Sequence, residues 1–251
     1  MSATNWDYTS LAAAYVKRAD YSAEAIDRML QLTGVKDGDA VCDVGAGAAH
    51  LTLPLARRGL RVTAVEPNDA MREKGRERTA GLPGVVWRDG TGEETGEPAN
   101  AYALVTFGSS FNVTDRTRAL REAVRILEPR GWFACLWNHR DLDDLLQARI
   151  ERAIRAVVPD YAYGTRREDQ TPIIDASGLF HRVHTIEGPV VHVQAVDDCL
   201  EAWRSHATLQ RQAGDRFGRV IDAIAAILRE TGAPTVPVPY VTRLWVAQAK
   251  K

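Results

Sequence analysis

Three carboxylates stand where strands should end, and the first opens a glycine turn. The segment Val41-Cys42-Asp43-Val44-Gly45-Ala46-Gly47-Ala48-Ala49-His50 reads as a short apolar strand, an acid and a Gly-x-Gly turn leading into a helix. Glycine supplies unusual φ/ψ and lets a ligand approach the backbone closely. Glu66 follows a second apolar run in Val65-Glu66-Pro67, and Asp89 follows a third in Arg88-Asp89-Gly90-Thr91. An acid beside the turn is a poor neighbour for pyrophosphate and suits a ligand bearing an ammonium and a sulfonium. A carboxylate at the second position can accept hydrogen bonds from both hydroxyls of a ribose. One at the third can accept from the amino group of an adenine. A dinucleotide fingerprint needs Gly-x-Gly-x-x-Gly; its third glycine would fall on His50, so that pattern fails.

A second group of polar and aromatic residues follows the fourth and fifth apolar runs. Ser109, Phe111 and Asn112 come after one, and Trp137, Asn138, His139 and Arg140 after the other. His139 is the candidate general base, because an imidazole titrates near neutrality; a histidine that braces a loop is the competing reading. Arg140 either pairs with Asp141 or Asp143 or holds an acidic substrate. The N-terminal stretch carries Trp6, Tyr8, Tyr15 and Tyr21 with Arg18 among them, and Tyr161, Tyr163, Trp203 and His206 come later. Such aromatics suit a flat or ring-bearing molecule, and ordinary packing explains them about as well.

The elements that must position these residues alternate between strand and helix from residue 22 to about 137, as in βαβ units with a parallel sheet. Helices are expected at 22–33, from the glycine turn to 58, from Asn68 or Asp69 to 78, and from Asp115. Pro54 inside the second of these predicts a bend. Strands are expected at 41–44, 61–65, 85–88, 103–107 and 132–137, with a tight turn at 128–131. Beyond 138 the spacing predicts a helix at 142–157, a polar loop at 161–175, and strands at 180–187 and 190–195 around Gly188-Pro189. Helices at 198–209 and 217–230, an extended stretch at 232–239 and a closing strand at 240–249 complete the chain. The expected organisation is a helical lid over 1–36, a ligand-binding core over 37–140, and cap helices with closing strands over 141–251.

The chain has 251 residues, a formal net charge of -1, 45% apolar and 26% charged residues. These values fit one globular domain with an inserted cap. The balanced charge argues against a nucleic-acid partner. Cys42, Cys135 and Cys199 match no zinc spacing or disulfide framework, so no metal is expected. Residues 1–10 lack the pattern of a secretory leader and no apolar run reaches a membrane span, which sets a cytoplasmic expectation with no membrane or obligate protein partner.

Through the acidic strand ends and the glycine turn, the sequence resembles the class I S-adenosylmethionine (SAM)-dependent methyltransferases, in the small-molecule group that includes many bacterial secondary-metabolism enzymes. The likeness covers 39–137 well and 240–249 more loosely. It implies an α/β, Rossmann-like doubly wound sheet of seven strands in the order 3-2-1-4-5-7-6, with strand 7 antiparallel, plus a small helical cap. It implies that Asp43, Gly45 and Gly47 surround the methionine part of SAM, that Glu66 holds the ribose, that Met71 packs near adenine and that Asp89 and Gly90 flank its edge. Ala46, Pro67, Thr91, Phe107 and Gly108 complete the expected cofactor set, with Tyr15 or Arg18 reaching the methionine carboxylate. Trp6, Tyr8, Ser109, Phe111, Asn112, Trp137, Arg140, Trp203 and His206 form the expected acceptor set.

The implied chemistry is in-line transfer of a methyl group to O, N or C of a small, ring-bearing acceptor, leaving S-adenosylhomocysteine (SAH). Alignment of two reactants does most of that work, and a base is needed only if the acceptor must lose a proton. Three residue patterns depart from the family. Ala49 replaces its third glycine, Tyr102 and Ala103 stand where an Asp usually begins the fourth strand, and Ser109-Ser110-Phe111-Asn112 replaces a His-Trp pair. These departures keep open a non-catalytic or regulatory SAM-binding module. Aminopropyl transfer would need paired acids that are not found, and an NAD enzyme is opposed by His50.

Overall fold

The computed structural model describes residues 9–251, apart from the side chain of Arg166; Trp6 and Tyr8 lie outside the described residues. A short helix α1 (Ala12–Tyr15) precedes α2 (Ala23–Thr33). The Ser22 side chain accepts the Ala25 N–H to start α2, and Gly34, at φ 71°, ends it in the left-handed region. Ala25, Ile26 and Met29 on one stripe are fully buried. Burying side chains the size of Ile26 and Met29 contributes roughly 1.5–3 kcal/mol each.

Next come β1 (Ala40–Val44), α3 (Thr52–Ala56), β2 (Arg61–Val65), α4 (Asp69–Arg78), β3 (Val85–Arg88), β4 (Tyr102–Gly108), α5 (Arg116–Ile126) and β5 (Leu127–Arg140). Then follow α6 (Leu145–Val157), α7 (Thr171–Ala176), β6 (His184–Ala195), α8 (Val196–Arg204), α9 (Ala207–Ala213), α10 (Phe217–Arg229) and β7 (Thr235–Gln248). The sheet order is β3-β2-β1-β4-β5-β7-β6. The first five strands pair in parallel, and β7 is antiparallel to both β5 and β6. This is the seven-stranded, doubly wound arrangement that the resemblance implied. Parallel central strands are covered on both faces, which is why Val41, Cys42, Asp43 and Val44 are all buried.

One face of the sheet carries Phe107, Phe111, Phe133 and Trp137 under α5. The other carries Leu104, Leu136 and Leu244 under α2. A third apolar cluster joins α6, α8, α9 and α10 through Ile150, Ile154, Trp203, Leu209 and Ile224.

Local departures from the sequence expectation have local causes. Regular helix after the glycine turn is confined to α3. Leu53 N–H reaches Ala49 O and Leu55 N–H reaches Leu51 O, with Pro54, which has no N–H, between them. The expected turn at 128–131 is a kink inside β5, with Arg130 at φ 64° and an irregular register at Tyr102/Leu104. The loop expected at 161–175 contains a 3-10 turn, Gly164–Arg167, and α7. The two strands expected around Gly188-Pro189 are one, β6, an edge strand where proline is tolerated. The helix expected at 198–209 breaks at Ser205-His206, where the His206 ring accepts the Leu209 N–H and starts α9.

Candidate active site

The site is built at the carboxyl ends of β1, β2, β4 and β5, where an open α/β sheet offers its crevice. Asp43, the fourth residue of β1, is fully buried. Its Oδ2 accepts the Thr52 hydroxyl at 2.7 Å and its Oδ1 accepts the Thr106 hydroxyl at 2.9 Å. Burial pushes its pKa up to about 6, against the pull of the two threonines. The turn that follows holds Gly45 at φ 65° and Gly47 at φ 56°. A side chain at Gly45 would run into Ser110, whose Oγ would stand 2.8 Å from the added carbon.

The amides of this turn are already committed. Gly45 and Ala46 both donate to Val65 O, at 2.8 and 3.0 Å, and Gly47 donates to Glu66 Oε2 at 2.8 Å. Glu66 Oε1 accepts the Asn68 N–H at 2.9 Å. Burial raises the Glu66 carboxyl above its ordinary range, and these two N–H donors oppose the rise. A carboxylate offers about four lone-pair sites, so each Glu66 oxygen keeps acceptor capacity for a hydroxyl. The turn thus has buried carboxylates on either side and leaves none of the Gly45, Ala46 and Gly47 N–H groups free.

The N-terminal segment is fastened across this turn. Asp20 Oδ1 lies 2.7 Å from His50 Nδ1 and accepts Arg78 Nη2 at 2.8 Å. Although burial raises the Asp20 pKa, these partners lower it below the ordinary value. Burial in turn lowers that of His50. Asn138 Nδ2 donates to Asp20 O at 3.0 Å, and the Tyr21 and Ser109 hydroxyls lie 2.8 Å apart. Ser109 itself sits at φ 62°, a costly conformation for a non-glycine residue and one concentrated at functional sites. Arg18 stacks over the Tyr15 ring at 4.0 Å and spends Nε and Nη2 on Ser205.

A cavity opens from this turn toward the helical cluster. Of the expected cofactor residues, Tyr15, Arg18, Asp43, Gly45, Ala46, Gly47 and Gly108 line it. Of the expected acceptor residues, Ser109, Asn112, Trp137, Arg140, Trp203 and His206 line it. Glu66, Pro67, Asp89, Gly90 and Thr91, which follow β2 and β3, do not line it, nor does Met71 of α4, which is buried against Ala12 and Ala48. Asp89 is exposed, 3.5 Å from Arg72.

Three expectations are corrected. Phe107 and Phe111 point into the core, where their rings meet at 5.6 Å and both pack on Phe133, so neither faces a ligand. His139 does not line the cavity, whereas its neighbours Asn138 and Arg140 do. Arg140 pairs with neither Asp141 nor Asp143. It stacks on Trp203 at 3.6 Å and donates from Nε to the Tyr240 hydroxyl at 3.3 Å.

Residues missing from the expected set also line the cavity, among them Tyr21, His50, Asn138, Tyr163, Arg167 and Tyr240. Tyr21 and Tyr163 were visible as aromatics, and Asn138 stood between two candidates. Nothing in the spacing of the 161–175 segment marked Arg167.

Residues 42–135 match the sequence model of the family described as Methyltransferase domain. An uncharacterised methyltransferase of Mycobacterium tuberculosis is 36% identical over 135 residues, 53% of each chain. A ubiquinone/menaquinone biosynthesis C-methyltransferase of Enterobacter is 32% identical over 136 residues, 49% of this chain and 54% of its own. The chain thus spans about half the length of the curated relatives it matches. The YcgJ protein of Bacillus subtilis shares the fold, with TM-score 0.56 and 17% identity over 91% of this chain and 99% of its own. With the sheet order, the acidic strand ends and this match in hand, residues 42–135 read as a methyltransferase domain on the seven-stranded fold of the class I enzymes.

Proposed function

We propose that this protein binds SAM and transfers its methyl group to a small, ring-bearing acceptor. The observation that carries the reading is the state of the glycine turn. The N–H groups of Gly45, Ala46 and Gly47 are bonded internally, and the charged groups beside them are the buried carboxylates of Asp43 and Glu66. A dinucleotide pyrophosphate needs the reverse, free amides and no acid. An amino-acid sulfonium linked to a ribose fits what is present.

Asp43 and the backbone of Gly45–Gly47 would take the methionine end, and the remaining lone pairs of Glu66 the ribose hydroxyls. Met71, Asp89, Gly90 and Thr91 would border the adenine. Arg18 keeps Nη1 uncommitted for the methionine carboxylate. Bound SAM would supply a methyl group already activated by its sulfonium. The protein's part is then to align the acceptor and exclude water. Trp137, Trp203, Tyr163 and Tyr240 supply aromatic lining for that purpose. No side chain is assigned as general base, since His139 is off the cavity.

Calorimetry with SAH tests the reading directly. Binding of SAH, at least tenfold weaker in Glu66→Ala, is expected, with SAH release from SAM once a suitable acceptor is added. Absence of heat and of thermal stabilisation with both SAM and SAH would overturn it. Binding of SAM without turnover across a broad acceptor panel would leave the non-catalytic module instead.

A further inference from the structure

Part of the cavity lining is cationic and lacks a counter-charge. Arg140, at the end of β5, and Arg167, from the 3-10 turn, both line it. The Arg140 guanidinium lies flat on the Trp203 indole at 3.6 Å, with the Tyr240 ring at 5.6 Å. That of Arg167 lies on the Tyr163 ring at 3.8 Å, and its Nη2 donates to Arg140 O at 3.2 Å. Among the described residues neither has a carboxylate partner, while surface arginines such as Arg58, Arg125 and Arg243 do. Asp43 is the one carboxylate on the described lining, and its two oxygens are held by threonines.

The Nη1 of Arg140 is buried and has no hydrogen-bond acceptor. A buried donor on a charged group is costly to leave unmade and calls for an explanation. Stacking fixes the plane of the guanidinium, so its uncommitted N–H groups are preset for an oxyanion. We infer that the methyl acceptor carries a carboxylate or phosphate, which Arg140 and Arg167 hold beside the Trp203 and Tyr163 rings. This rests on the cofactor reading above only in calling the ligand an acceptor. The anion site itself stands on these two arginines.

Benzoate and phenyl phosphate, with neutral benzamide as control, probe the site by calorimetry or ligand-observed NMR, with and without saturating SAH. At least one anion is expected to bind at least tenfold more tightly than benzamide, and whichever does identifies the oxyanion. Arg140→Gln should weaken anion binding at least tenfold while SAH affinity stays within twofold. If Arg140→Gln does not fold, Arg167→Gln, in an irregular segment, carries the same test. Equal binding of benzoate, phenyl phosphate and benzamide, or unchanged anion affinity in the folded variant, would overturn the inference. So would a parallel loss of SAH affinity, which would put Arg140 on the cofactor's own carboxylate. Anion binding without SAH binding would sink the cofactor reading and leave the anion site standing.

Discussion

Asp43 and Glu122 are both buried carboxyls, yet they titrate in opposite senses. Burial dominates at Asp43 and raises it to about 6. The native state therefore holds this proton more tightly than the unfolded chain does. Its favourable contribution is complete below pH 4 and is lost as pH rises through 6, a change of roughly 3 kcal/mol in the ligand-free protein. A cation beside Asp43 favours the ionised form, so SAH affinity is expected to rise between pH 5 and 7 and stay flat in Asp43→Asn. Calorimetry across that range checks both. At Glu122 burial also raises the pKa, but hydrogen bonds from Arg125, the Thr95 hydroxyl and the Thr95 N–H outweigh it and bring the carboxyl down to about 2. That contribution is present above pH 4.5 and is lost as pH falls through 2. Glu122→Gln should therefore flatten the acid limb of a denaturation-versus-pH curve; an unchanged limb would remove the assignment.

At the scale of elements, two glycines separate a site-forming turn from a packing seam. Gly45 is left-handed and abuts Ser110. Gly188, in β6, faces α2, where an added carbon would lie 2.6 Å from Ser22 Oγ and 3.0 Å from the Ala25 backbone nitrogen. Overpacking of this kind costs about 1–3 kcal/mol. Both Gly45→Ala and Gly188→Ala should lower Tm by several degrees. Only Gly45→Ala should also weaken SAH by more than tenfold, because it displaces the turn itself. Loss of SAH affinity in Gly188→Ala would mean that α2 and the turn move together. Ala49, at φ 66° and fully buried, is a third case. Glycine there would relieve strain and lose a packed methyl group, two effects of about 1 kcal/mol each, so Ala49→Gly should leave Tm nearly unchanged in a thermal melt.

Taken whole, the molecule closes one cavity with parts drawn from along most of the chain, and a ligand there ties them together. SAH at a hundred times its Kd should stabilise by roughly 2.7 kcal/mol, raising Tm by about 5–10 °C for a chain of this size; no shift would contradict cavity occupancy. The strands, the glycine turn and the acids Asp43 and Glu66 were legible in sequence, because each is set by neighbours a few residues away. An apolar run ends in an acid, the turn needs glycine, and the resemblance then supplied the strand order. Three features were decided only by tertiary structure. Tertiary packing put Arg140 on the cavity wall and left His139 off it, although the two are neighbours in β5. Packing against Phe133 drew Phe107 and Phe111 into the core instead of toward a ligand. Folding set Arg140, Arg167, Trp203 and Tyr240 around one space although up to 100 residues part them in the chain, and no local period encodes a meeting at that separation.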